Sequence, residues 1–379
     1  MRIQNGQIFT EDAGFKTGSI DIDGNRIRAV SYTDTPDKAG SIDATGLYVI
    51  PGLTEIHFHG CKGYDFCTAD EKGLEEMAKY QLSRGITQIC PTSMTLSEES
   101  LTRAFKMAAE YNRKEHAGAK LVGINMEGPF ISYEKKAAQN GKYIVKPDVD
   151  TFLRLQAAAD GLIKLCDIAP ETEGAMDFIK RLHKDVHISL AHSTAGYDMA
   201  MAAFEAGADH VTHLYNAMNP FLHRHPGIVG AASDSEKVFV EMIGDCLHLS
   251  PSVCRATLKM IGDDRLCLIS DSIEACGMPD GQYMLGGLEA TKAGDKVCLT
   301  GTDTLAGSAV DLMSVMVSQV KLAGIPLTSA VKCAAVNPAK SIGIYDDYGS
   351  IVPGKFANIV LLNKELEIAG IIYQGRLLD

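Results

Sequence analysis

Along the central part of the chain, short apolar runs alternate with stretches whose apolar residues recur at helical spacing. The runs are Tyr48–His57, Ile86–Pro91, Lys120–Met126, Leu162–Ile168, Val186–Ala191, His210–Leu214, Val238–Ile243 and Leu266–Ser270. Helices are predicted in the gaps, at Glu71–Ser83, Glu98–Glu115, Glu171–His183, Ala195–Ala206 and Ser250–Ile261. Alternation of strand and helix predicts a parallel sheet, and eight strand candidates suggest a closed (β/α)8 barrel. An open doubly wound sheet is the alternative. A GxGxxG turn after the first strand would support it, and none is present.

The ends of the chain follow a different pattern. Ile20, Ile22 and Ile27 alternate with polar residues around the turn Asp23-Gly24-Asn25, which predicts a hairpin. Ala357–Leu362 and Glu365–Tyr373 also read as strands. Residues 272–306 are rich in glycine and turns, and predict a hairpin insertion before a helix at Ala309–Leu322. The expected fold is α/β: a (β/α)8 TIM-type barrel over 48–346, with a small β-sandwich domain built from both termini, 1–47 and 347–379.

Composition narrows the function. With 379 residues and 46% hydrophobic content, the chain can bury a large core. No stretch approaches ~18 consecutive apolar residues, and the N-terminus lacks a signal-peptide pattern, so a cytoplasmic protein is expected. A net charge of -12 disfavours nucleic acid and anionic membrane as partners, but leaves room for a small anionic substrate held by a local cluster of donors. The ten cysteines form no CxxC pair and read as buried thiols; a role for Cys61 beside a metal is the minor alternative.

The chemistry is positional. His57 and His59 end the first strand candidate, Glu127 follows the third, His192 the fifth, His213 ends the sixth region, and Asp271 follows the eighth. In a (β/α)8 barrel these ends converge on one mouth. Residues i and i+2 of a strand share a face, so both imidazoles of His57-Phe58-His59 reach one side. A carboxylate directly after an apolar strand is costly to bury unpaired, and a divalent cation would pair Glu127. Glu127, His192 and His213 form a donor set suited to hydrolytic Zn²⁺ or Fe²⁺, with His57 and His59 placed for a second ion that Glu127 would bridge. Asp271 is placed to take a proton from an activated water and return it to a leaving group. His210 reads as structural, and Asp245 and Asp303 as turn residues.

These residues lie in stretches that resemble the N-acetylglucosamine-6-phosphate deacetylase family of the amidohydrolase superfamily. The stretches are Pro51–Gly60, Glu127-Gly128-Pro129-Phe130, Ala191-His192-Ser193, Thr212–Met218 and Leu305-Ala306-Gly307-Ser308. The resemblance implies a main metal on Glu127, His192 and His213, and a second on His57 and His59, a pair that some members replace. It implies proton transfer by Asp271 and phosphate contacts from Asn216 and Ala217. Arg224 would be donated across a homodimer interface. Substrate contacts are implied for His248, Ala138, Gln139 and the loop Leu305, Ala306, Gly307. The chain departs from the pattern at Gln139, where many members carry His, at Cys246, where Gly is usual, and at Asn358, where Asp is usual.

The implied reaction is hydrolysis of the N-acetyl group of N-acetylglucosamine 6-phosphate, using one or two divalent ions, Zn or Fe. N-acetylgalactosamine 6-phosphate is the nearest rival substrate. Another cyclic-amide hydrolase or deaminase of the superfamily is a second reading. Many of those use a modified lysine at a mid-barrel strand, where this chain has Leu165-Cys166-Asp167. A catalytically dead metal-binding scaffold is the non-enzyme reading, and retention of Asp271 with all five ligands argues against it.

Overall fold

The computed structural model of the chain describes residues 1–33 and 40–378. The two ends meet in one eight-stranded sheet. Its path runs Arg376–Leu377, Ile368–Tyr373, Ile359–Leu362, Tyr48–Pro51, Arg2–Thr10, Gly14–Asp23 and Arg26–Ser31, and Ile42–Asp43 pairs with Arg2–Thr10 off this path. The predicted hairpin forms with Asp23 opposite Arg26 and Ile22 opposite Ile27. Ile20, Ile22 and Ile27 are buried together with Ile3, Val49 and Ile359, a core of their own. Each such side chain contributes roughly 1.5–3 kcal/mol on burial.

The central sheet is parallel and runs in chain order. Its first strand, Leu53–Glu55, pairs with the second, Ile86–Ile89, which pairs with Lys120–Leu121. The second and third strands continue as Thr92–Ser93 and Ile124–Met126, and from there the pairing passes through Ile163–Ile168, His187–Leu190, His210–Val211, Phe239–Ile243 and Leu266–Ile269. The eighth strand returns to the first: Asp271 N–H donates to the His57 carbonyl (2.9 Å), and His59 N–H donates to Ser272 (2.7 Å). Thus residues 214 positions apart in the chain bring His57 and Asp271 to one rim.

Two apolar runs divide. Tyr48–His57, predicted as one strand, is two. Tyr48–Pro51 pairs with the terminal strands, and the chain crosses to the central sheet at Gly52, whose N–H donates to the Asn358 carbonyl. No Cβ would fit there, because it would lie 2.1 Å from Thr87 Oγ1. Lys120–Met126 breaks at Val122-Gly123. The sixth strand ends at Val211 rather than Leu214.

Helices fill the predicted gaps, and their starts follow capping chemistry. Asp70 caps Glu71–Ser83 by accepting from Gly73 N–H, Ser97 caps Glu98–Asn112, and Asp311 caps Leu312–Lys321. The helix predicted from Glu171 begins only at Ala175, after Gly174 in a left-handed conformation. Val149–Ala158 and Gly227–Asp234 are helices that the periodicity did not single out. The 272–306 insertion is a three-stranded antiparallel meander over Gly281–Leu285, Leu288–Ala293 and Lys296–Leu299. Among the described residues, no helix is long and apolar enough to cross a membrane.

Candidate metal centre

The candidate side chains stand where strands stop. His192, His213 and Asp271 have φ of 44°, 30° and 49°, in the left-handed region that non-glycine residues rarely adopt. Such backbone costs of order 1–3 kcal/mol per residue and persists only where the surroundings enforce it. Each residue thereby leaves its strand abruptly and directs its side chain over the rim. Phe58, between the two histidines of the first strand, is fully buried in the core.

Glu127 is the centre of the group. Its Oε1 lies 3.0 Å from His192 Nε2 and 3.0 Å from His213 Nε2, and the two nitrogens are 3.2 Å apart. Its Oε2 faces His59 Nε2 at 3.4 Å. Asp271 Oδ1 lies 3.2 Å from His59 Nε2 and 3.7 Å from His57 Nε2. Two donor sets result, Glu127/His192/His213 and His57/His59/Asp271, each with its ligand atoms within 4.8 Å of one another.

These sets fit a divalent cation. Two donors of one tetrahedral zinc stand about 3.3 Å apart, close to the observed separations. His57 Nε2 is buried without a hydrogen-bond partner and points between Glu127 and Asp271. The opposite ring nitrogens are secured: His192 Nδ1 donates to the Lys135 carbonyl (2.8 Å), His59 Nδ1 to the Thr92 carbonyl (3.2 Å) and His57 Nδ1 to Glu241 (2.8 Å). That places the protons on Nδ1 and leaves the Nε2 lone pairs for the centre.

The Amidohydrolase family profile matches residues 48–378. The chain belongs to the amidohydrolase family. It is 33% identical to an N-acetylglucosamine-6-phosphate deacetylase from Bacillus subtilis (strain 168), over 99% of this chain and 96% of the relative. It is 32% identical to an N-acetylgalactosamine-6-phosphate deacetylase from Escherichia coli O157:H7, over 86% of each. A solved Mycobacterium smegmatis N-acetyl-D-glucosamine-6-phosphate deacetylase variant, in complex with N-acetyl-D-glucosamine-6-phosphate, matches with a TM-score of 0.93 at 31% identity, covering 100% of this chain and 98% of that one.

In this amidohydrolase, a cavity of about 380 Å³ opens above the donor sets. His59, Glu127, His192, His213 and Asp271 form its floor, while His57 lies deeper, fully buried. Ala138, Gln139, Asn216, Ala217, His248, Leu305 and Gly307 line its walls. Ala306 does not; it packs into the core. Arg224 lies outside this cavity, exposed on a separate surface with Tyr197 and Asn219, and donates to His223. A larger cleft of about 620 Å³, near Tyr111 and Tyr373, contains none of the candidate ligands, so size alone does not mark the site.

Several details change the reading of individual residues. Gln139 is engaged at both ends of its amide: Oε1 accepts from Thr95 N–H (2.7 Å) and Nε2 donates to Glu127 Oε2 (2.5 Å). Asp245, read as a turn residue, accepts from the N–H groups of Leu247 and His248 and also holds His248 Nδ1 at 2.7 Å. Cys246 has a φ of 63°, which explains why glycine is comfortable at this position. Asp303 lines the cavity mouth. Glu55, Asp167 and Glu241 are fully buried acids beneath the rim that the sequence reading did not single out. The available signal was a charged residue inside an apolar strand, as in Phe239-Val240-Glu241-Met242-Ile243.

The electrostatics follow the pairing. Burial alone would raise the Glu127 carboxyl, but hydrogen bonds with His192 and His213 outweigh it and hold the group well below its ordinary range. Asp271 is lowered in the same way, burial being outweighed by the His59 hydrogen bond and the neighbouring imidazoles. Glu55 lacks such partners. Burial pushes it up to about 8, against hydrogen bonds from Ser270 and His57.

Proposed function

We propose that the chain hydrolyses the N-acetyl group of N-acetyl-D-glucosamine 6-phosphate, yielding D-glucosamine 6-phosphate and acetate, in cytoplasmic amino-sugar breakdown. The observation that carries the reading is the convergence of Glu127, His192 and His213 on one point, with Asp271 facing them across His57 and His59. Relatives named as deacetylases of this substrate, aligned over nearly the whole chain, support it.

Glu127, His192 and His213 would hold the main ion, zinc or iron, and His57, His59 and Asp271 a second. A divalent cation, when bound, supplies the charge that acidifies water and polarises an amide carbonyl. Asp271 accepts the proton of the attacking water and later gives it to the departing sugar nitrogen, a transfer its place on the cavity floor permits. His248, held by Asp245, is placed to donate to the acetyl oxygen. Asn216 and Ala217 line the same cavity and would receive the phosphate, which orients the amide without taking part in the chemistry. Gln139 and Ala138 flank the sugar, under the Leu305–Gly307 loop.

Arg224 would complete the phosphate site of a second subunit in a homodimer. Its exposure beside Phe221 and Leu222, which are 50% and 48% exposed, supports this assignment. The architecture that accompanies the reading is a closed (β/α)8 barrel and a small β-sandwich domain from both termini, with the boundary at Gly52 rather than at 48 because Tyr48–Pro51 pairs within the terminal sheet. N-acetylgalactosamine 6-phosphate is the second reading, favoured by the relative of that specificity. Acetate release from both sugar phosphates by metal-loaded protein tests the assignment. Release from the glucosamine derivative is expected, and release from neither would overturn it.

A further inference from the structure

We infer that Glu241 is a positioning residue that sets the tautomer of His57 and holds the two donor sets in register. The inference rests on the proposed metal centre. Glu241 lies on the seventh strand, fully buried, and touches two other strands at their rim ends. Its Oε2 is 2.8 Å from His57 Nδ1 and also accepts, at 3.3 Å, from the backbone N–H of His213. Its own carbonyl accepts from Leu214 N–H at 2.9 Å. One residue therefore fastens a ligand of each donor set.

The competition at His57 Nδ1 makes this more than packing. Asn125 Nδ2 stands 3.4 Å from the same nitrogen. That end of the Asn125 amide is the donor, because it also donates to the Ile56 carbonyl at 3.2 Å. Asn125 and Glu241 thus ask opposite things of one ring atom. A carboxylate only accepts, so Glu241 requires a proton on Nδ1 and leaves Nε2 free to bind a cation. An amide N–H only donates, so Asn125 favours a bare Nδ1 and a proton on Nε2, which blocks ligation. The ionised acceptor at 2.8 Å wins over the neutral donor at 3.4 Å. His59 and His192 face backbone carbonyls at Nδ1 and have no such rival among their hydrogen bonds.

Removing Glu241 should hand His57 to Asn125. The test uses full-length protein with ¹⁵N-labelled histidine, stripped by chelator for tautomer measurement by NMR and then titrated with Zn²⁺ alone. In the wild type, His57 is expected to carry its proton on Nδ1. In Glu241→Ala it should move to Nε2, and zinc affinity at the His57/His59/Asp271 set should fall about 10- to 100-fold while the other equivalent is kept. Glu241→Gln retains an acceptor oxygen and should fall between the two. Adding Asn125→Ala to Glu241→Ala should restore part of the lost affinity, which a purely structural role would not do. An unchanged tautomer in folded Glu241→Ala, or in Glu241→Leu, which keeps the volume but removes the acceptor, if the alanine variant does not fold, overturns the inference. Failure of wild-type protein to bind zinc overturns the metal-centre reading instead, and the tautomer measurement still decides the role of Glu241.

Discussion

His192 and His213 lie 21 residues apart in the chain, yet their Nε2 atoms are 3.2 Å from each other and equidistant from one oxygen of Glu127. Two neutral imidazoles presenting nitrogens to each other repel unless a proton or a cation lies between them. With both Nε2 atoms also facing a carboxylate, this arrangement is built around positive charge.

The division of ligands makes a quantitative expectation. His57→Asn/His59→Asn should lose at most one metal equivalent, since Glu127, His192 and His213 remain as a set. Elemental analysis of purified wild-type and variant protein checks this. Loss of all metal from the double variant would mean that the sets are wrongly divided.

Asp271→Asn should lower kcat about 10²- to 10⁴-fold, because an amide cannot shuttle the proton. Substrate binding should persist, because the walls of the cavity are unchanged. Isothermal titration and steady-state kinetics separate the two quantities. Near-normal turnover would remove Asp271 from the mechanism. Because Asp271 also faces His57 and His59, its metal content should be measured alongside.

The position of Arg224 outside its own chain's cavity leads to a complementation test. Co-expressed Arg224→Ala and Asp271→Asn subunits should pair at random, and each mixed dimer would contain one site with both residues intact. Activity should recover to about a quarter of wild type if two-fold dimers form and sites act independently. Mixed dimers visible by native mass spectrometry but without activity would place Arg224 elsewhere.

Stability should depend on pH through Lys355. This side chain is 6% exposed, donates to the Tyr348 carbonyl at 3.0 Å and lies over the Tyr345 ring. Burial lowers its pKa from 10.5 to about 8. Below pH 8 both folded and unfolded chains hold the proton, and the burial cost is fully present. Between about 8 and 10.5 the unfolded chain binds more protons, so this cost is relieved as pH rises. Wild type should therefore gain stability relative to Lys355→Met between pH 7.5 and 10, measured by urea denaturation. A pH-independent difference would refute the argument.

Much of the candidate site was legible before any fold was known. Apolar runs mark strands, and a polar residue at the end of a run marks the rim, so His57, His59, Glu127, His192, His213 and Asp271 stood out by local periodicity alone. The hairpin at Asp23–Arg26 is equally local and formed as read, and the caps at Asp70 and Ser97 are local too, although the apolar periodicity did not single them out. Other features are set by which strands curl against which. The return of the eighth strand to the first puts Asp271 with His57 and His59. Gly52 splits the run Tyr48–His57 because Asn358, three hundred residues on, takes its N–H. Gln139 faces Glu127, and Glu241 faces His57, across contacts that no spacing in the chain encodes. The left-handed turns at His192, His213 and Asp271 run against local preference and persist because the assembled rim holds them. Periodicity reports which face a side chain takes, since that depends on neighbours in sequence. Which partner it meets there depends on sheet curvature and register, which exist only once the whole chain has folded.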